Sequence, residues 1–511
     1  MCTSTLTARA TNLDTIGVTL LRQVDPTLNG GGVRVAQVEA PYYTTPTPPY
    51  AFEVIPSAVG QPATRFTYYS DLGTATTYPN SIGVNSDHAT SVGGNFFGNA
   101  GAVDLGVATN VTHVDNYEYS YFIDNKIYPT SAAIPAVVVN QSFNFTSPIQ
   151  STYETAYDNY VVSHKTSFIT GAGNGGPIES NLPATSFNGI AVGVTDGNSS
   201  YGPTADGRSK PDITSPGSGA TSFSTPHVSG AATILVQAGA RNDGGSATSS
   251  TATNPITIKA LLLNGAIKPA DWTNGPVTPL DARYGAGIVN VFNSWKQLKG
   301  GLHTSNETNT VTSGNPHPPG ASVSNQPSLL GWNHGAISTT ATQDKIIHYY
   351  FNLTNSNPCT FTATLVWNRQ NNQAAINNLD LFLYNAANSN LVLSSISAVD
   401  NVEHLFLPQL APGRYDLQVV KRGSATQVSQ SETYALAFEM FCVKLNLAVT
   451  NGNLALSWTN SPTGFRLVSA ASLNPPAPWA TVGNAVVMTN GLNLVSVPIT
   501  ATNQFFRLQR P

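Results

Sequence analysis

Residues 220–230 read Ala220-Thr221-Ser222-Phe223-Ser224-Thr225-Pro226-His227-Val228-Ser229-Gly230. A run rich in Ala, Gly and Ser continues from Val228 to Ala240. Small residues of this kind let a helix pack closely inside a core. Proline has no backbone N–H and is tolerated in a first helical turn, where that N–H would be unbonded anyway. Pro226 therefore predicts a helix beginning close to Ser222. The free N–H groups and positive dipole end of that helix would face chemistry on the serine. Taken alone, the run fits an ordinary serine-capped buried helix better.

A serine hydroxyl is a poor nucleophile and needs a base, which in turn needs an orienting acid. Residues 88–94 read His-Ala-Thr-Ser-Val-Gly-Gly, and residues 33–39 read Val-Arg-Val-Ala-Gln-Val-Glu. The second run suits a buried strand, with Val33 and Val35 on one face and Ala36 and Val38 on the other. The three runs together resemble the subtilases. That family carries Gly-Thr-Ser-Met-Ala-x-Pro-His-Val-Ala-Gly around its nucleophile and His-Gly-Thr-His-Val-Ala-Gly around its base. A strand Val-x-Val-Ala-Val-Ile-Asp ends in its acid. The resemblance implies Ser222 as nucleophile, His88 as base and Glu39 in the place of the aspartate.

Several positions depart from the pattern. Ala220 stands for glycine, Phe223 for methionine and Ser91 for the second histidine. Glu39 is the departure that matters. Either carboxylate can hold an imidazole, but the extra methylene displaces the acid by roughly 1.5 Å, so the local backbone must be set back. Asp87 is adjacent to His88, and its side chain is expected to point away. His227 lies in the serine segment, where its family counterpart is structural. His113 and His164 have no motif around them.

Residues 168–177, Phe-Ile-Thr-Gly-Ala-Gly-Asn-Gly-Gly-Pro, resemble the family's apolar strand and Ala-Ala-Gly-Asn-x-Gly turn. The resemblance makes the side chain of Asn174 an oxyanion donor beside the Ser222 N–H. Val137 to Phe143 resembles the strand that pairs with extended substrate. Ser142, Phe143 and Asn144, with Gly171, Ala172 and Gly173, are expected along the cleft. The segment from Ser199 to Gly217 matches a specific structural stretch of the family. The resemblance spans roughly residues 16–300.

The chain has 511 residues, too many for one typical domain. Strand-like and helix-like segments alternate over 1–300. This predicts an α/β domain: a subtilisin-like parallel sheet covered by helices on both faces. Residues 301–445 read as a linker or wrapping loop over 301–325, followed by a jelly-roll-like β-sandwich. Residues 446–511 read as a small β domain with Asn-Gly turns at 451–452 and 490–491. Asp380, Asp400 and Glu403 read as solvated turn carboxylates rather than calcium ligands. Trp458 and Trp479 fit a core better than a glycan platform.

Charged residues are only 10% of the chain and the net charge is −4, which gives no reason to expect a nucleic-acid partner. No apolar run is long enough for a membrane span. Of three cysteines, Cys359 and Cys442 fall in one β domain, and pairing or two buried thiols are equally open. No Cys/His cluster has zinc spacing. The chain is expected to be a secreted, monomeric serine endopeptidase acting on protein or peptide. No signal-like apolar block precedes Asp14. No cofactor is expected for the chemistry, and the sequence does not place structural calcium. An inactive relative that binds extended peptides or surface polymers is the alternative, and a triad esterase is a weaker third.

Overall fold

The computed structural model describes residues 11–41, 47–100, 105–177, 180–195, 199–245, 249–315, 317, 319, 326, 328–354, 359–459, 465–472, 479–489, 492–499 and 503–509. The first part holds an eight-stranded sheet. Its order is Ile213–Ser215, Ile190–Val194, Ser167–Gly171, Val138–Gln141, Arg34–Glu39, His113–Glu118, Phe66–Ser70, Gly73–Ala75. Neighbours run parallel except the last pair. Strands buried on both faces read as apolar runs, and the Arg34–Glu39 strand shows why. Val33 and Val35 enter the core on the side of helices Asp87–Phe97 and Thr221–Ala240. Ala36 and Val38 enter a second core with Tyr157, Tyr160 and Val161 of helix Gln150–His164.

The serine helix begins at Thr221, with Ala220 as its extended N-cap. Pro226 lies in the second turn, not the first. Its missing N–H frees the carbonyl of Ser222, the acceptor four residues earlier. Ser142 Oγ donates to that carbonyl at 3.0 Å, which is why the helix tolerates the proline.

Strand His113–Glu118 is not legible as an apolar alternation because Asp115, Asn116 and Glu118 interrupt it. Each gains a partner once folded. Arg34 grips Asp115 with two bonds of 2.7 Å. The Val54 N–H donates to Asn116 at 2.9 Å, and Glu118 caps the Tyr121 N–H at 2.8 Å.

Beyond residue 300 a five-stranded and a four-stranded antiparallel sheet enclose a core of Tyr349, Phe361, Leu381, Leu417 and Phe438 among others. Glu307–Thr312 forms an edge strand of the larger sheet, where a linker or loop was expected. A disulfide joins Cys359 to Cys442, closing the pairing left open by the sequence. Asp380, Asp400 and Glu403 are buried, not solvated. Arg422 binds Asp380, while Ser395 and the Ser397 N–H donate to Glu403. Ser397 Oγ and the Ser209 N–H donate to Asp400.

Helix Pro255–Asn264 is buried along its whole length, because the four-stranded sheet of the sandwich covers its far side. Trp332, Val366, Val402 and Ala435 of the sandwich join the first core. Arg369 pairs with Asp158 at 2.8 Å across the same boundary, both side chains almost wholly buried. The last part pairs a four-stranded with a three-stranded sheet around Leu456, Trp458 and Val495. Trp458 is core, and Trp479 stacks under Arg507 at 4.1 Å. Turn 451–452 joins two paired strands, whereas turn 490–491 lies outside the described residues.

Candidate active site

Glu39 ends its strand at the carboxyl edge of the parallel sheet, where open α/β sheets present ligand crevices. His88 sits in the first turn of helix Asp87–Phe97, which Ser86 Oγ caps by accepting the Ala89 N–H at 3.1 Å. His88 Nδ1 and Glu39 Oε1 form a hydrogen bond. The bond to carboxylate keeps the proton on Nδ1 and leaves Nε2 bare as an acceptor. Burial pushes the Glu39 carboxyl above its ordinary range, against the opposing pull of His88. Burial also lowers His88, but the hydrogen bond and charge of Glu39 outweigh it, and His88 titrates above 6.5. Asp87 is exposed and makes no bond to the imidazole among the described contacts.

Ser222 is half-buried at the start of its helix. Its Oγ donates to the Ser142 carbonyl at 3.4 Å. Among the described contacts, no hydrogen bond joins Ser222 Oγ to His88 Nε2. Catalytic hydrogen bonds are often long without substrate, and rotation about the serine Cα–Cβ bond redirects the hydroxyl. The Phe223 ring lies 5.9 Å from the imidazole, centroid to centroid.

Asn174 Oδ1 accepts from the Thr221 N–H at 2.8 Å and from Thr221 Oγ1 at 3.0 Å. Both donors require the oxygen on that side, so the amide NH₂ faces the other way. The Ser222 N–H, in the first turn, has no intrahelical acceptor. These two donors flank the start of the serine helix. Thr221 was not singled out from the sequence, although it sits directly before the serine.

The expected cleft residues divide. Ser142 is buried and locks the serine segment from both sides, its Oγ on the Ser222 carbonyl and its own carbonyl on Ser222 Oγ. Phe143 turns its ring into the core, 5.1 Å from Tyr119, and so does not line the cleft with its side chain. Asn144 donates to the Gly171 carbonyl at 2.8 Å, tying the two cleft strands together. Gly171 and Ala172 are buried. Gly173 has φ +107, and a Cβ there would come within 2.8 Å of Ser200 Oγ, so glycine is required on both counts. Past Asn144, Phe145, Tyr119 and Tyr153 together with Asp124, Thr146 and Ser147 line a mixed hollow of 190 Å³ that the sequence did not reveal.

The other three histidines before residue 300 have ordinary partners. His227 Nδ1 bonds the Pro216 carbonyl at 2.9 Å, His113 bonds Thr67 at 2.9 Å and His164 bonds Ser131 at 3.1 Å. Among the described residues, no group of three or more His, Cys, Asp or Glu side chains could hold a metal ion, so calcium is assigned no position.

Comparison with known proteins shows a partial likeness to one family. A sequence model of the subtilase family matches residues 61–287, a span that includes His88, Asn174 and Ser222 but not Glu39. Pyrolysin of Pyrococcus furiosus is 36% identical over 119 residues, which is 20% of this chain and 8% of pyrolysin. The chain thus spans a small fraction of that relative. Among solved structures, the patellamide maturation protease PatA aligns with 21% identity and a TM-score of 0.37, over 53% of this chain and 98% of its own. The prenylagaramide maturation protease PagA aligns with 19% identity and a TM-score of 0.37, over 55% of this chain and 98% of its own. Through residues 61–287, this chain is similar to the subtilase family.

Proposed function

We propose that this protein is a secreted serine endopeptidase with Glu39, His88 and Ser222 as its triad. One observation carries the reading: the buried Glu39 carboxylate binds His88 Nδ1, which leaves Nε2 as the acceptor, and the imidazole lies 5.9 Å from the Phe223 ring of the serine helix. Ser222 Oγ leaves the Ser142 carbonyl, gives its proton to His88 Nε2 and attacks the peptide carbonyl. The Asn174 amide and the Ser222 N–H take the oxyanion. The imidazolium, stabilised by Glu39, then protonates the departing amine, and water repeats the sequence on the acyl-enzyme. Extended substrate runs along the 142–144 and 171–173 segments, close to the hollow beyond Asn144. The chemistry is proposed to need no cofactor, and the protein to act as a monomer on protein or peptide.

Export rests on the Cys359–Cys442 disulfide, which persists in oxidising compartments, and on the sparse surface charge. No helix among the described residues is long and apolar enough to cross a membrane.

The competing reading, a peptide-binding relative without turnover, draws on the Ser222–Ser142 contact. A fluorophosphonate with intact-mass analysis separates the two. One adduct, absent from Ser222→Ala, is the expected result. No adduct on folded protein would leave the binding reading standing.

A further inference from the structure

Three neighbouring positions depart from the subtilase pattern together. Gln37 stands where that pattern has valine, Glu39 where it has aspartate, and Gly93 where it has alanine. The two-residue strand period puts Gln37 and Glu39 on the face of Val35, which packs into the core shared with Ala89 and Phe96 of the His88 helix. Ala89 and Gly93 are one turn apart and share a helix face.

Gln37 is wholly buried, and its Nε2 donates to the Ala89 carbonyl at 2.8 Å. Ala89 directly follows His88, so this bond ties the backbone of the base to the strand that carries the acid. A Cβ on Gly93 would lie 3.2 Å from Gln37 Oε1 and 2.9 Å from the Phe97 ring. Gly93 therefore leaves the room that the amide occupies. Glu39 Oε2 and Gln37 Oε1 have no hydrogen-bond partner among the described contacts, and Gln37 favours the charged carboxylate against the burial that opposes it. A longer acid has one more rotor to fix and a carboxylate seated about 1.5 Å further out. A valine at 37 offers no hydrogen bond to either group.

We propose that Gln37 is a positioning residue for the Glu39–His88 pair, holding the helix that bears the base at the distance the longer acid requires, with Gly93 supplying the space. The proposal rests on the serine-peptidase reading above. It makes Glu39 one member of a coupled set, in which restoring the shorter acid alone is harmful.

The test uses the full chain with Gln37→Val, Glu39→Asp and the double variant. Turnover of quenched-fluorescent casein is followed against pH, with thermal midpoints and fluorophosphonate labelling of Ser222 alongside. Gln37→Val is expected to keep KM within about twofold and to lower kcat about tenfold, moving the acid limb to lower pH. Glu39→Asp is expected to lose about a hundredfold, and the double variant to lose at least about fivefold less than the product of the two. Should Gln37→Val not fold, Gln37→Met keeps the volume without the donor and takes its place. Single effects that simply multiply, or an unmoved pH profile in Gln37→Val, would overturn the proposal. If wild type fails to label, the peptidase reading falls. The His88 titration, read by NMR in wild type and Gln37→Val, then decides the positioning role independently of turnover. A lower His88 pKa in the variant supports it, and an unchanged one overturns it.

Discussion

The serine and the acid reach the same site by opposite means. Ser222 stands on a half-exposed helix start, and its surroundings are short hydrogen bonds to main chain: Ser142 on its carbonyl, Thr221 on Asn174. Glu39 stands inside the core at the end of a strand, and burial itself shapes its behaviour. Groups at the serine end are therefore replaceable without unfolding the protein. Groups at the acid end are coupled to packing, so a change in chemistry there is also a change in structure.

Variants that strike each end sharpen this contrast. Ser222→Ala should remove turnover by about a millionfold while leaving the thermal midpoint in place, which differential scanning fluorimetry and casein hydrolysis check together. Glu39→Gln should lower kcat by about 10⁴. Its companion effect is on pH. His88 must be neutral to accept the serine proton, and its pKa is raised, so the acid limb of kcat/KM in wild type should fall above pH 6.5. Removing the Glu39 charge should shift that limb downward, and an unshifted limb would detach Glu39 from His88 in function.

Asn174→Ala acts on an exposed side chain and should lower kcat by about 10² to 10³ with KM and stability nearly unchanged. A comparable fall in stability would mean that its bond to Thr221 matters more than its donor to the oxyanion. The smallest effect is expected at Ser142→Ala. It leaves the carbonyl that Pro226 frees without its donor, at a cost of about 1–3 kcal/mol in stability, while fluorophosphonate labelling of Ser222 persists.

The two ends also differ in how openly the sequence declares them. The serine segment is legible because its constraints are local: a proline, a run of small residues and a histidine at fixed spacing. Even there, the placement of Pro226 in the first turn was wrong, since the donor that makes a second-turn proline tolerable comes from Ser142, 80 residues earlier in sequence. Phe143 had the right address and the wrong direction, because a strand position does not say which neighbour, here Tyr119, completes the core. Asp400 and Glu403 looked solvated because carboxylates usually are. Their burial depends on Ser209, Ser395 and Ser397, which only folding brings to them.

By itself the sequence determined the alternating strands and helices of the first part, the β-rich remainder and the residues on which the chemistry is proposed. Apolar period, proline and glycine act over a few residues, so their consequences can be read in place. Only the tertiary structure decided that helix Pro255–Asn264 lies between the serine helix and the sandwich, that Glu307–Thr312 is a strand and that Cys359 bonds Cys442. The same holds for the seat of Glu39, shared with Gln37 and Gly93. These outcomes turn on which distant surfaces exclude water from one another, and that free energy belongs to the assembled core rather than to any one segment.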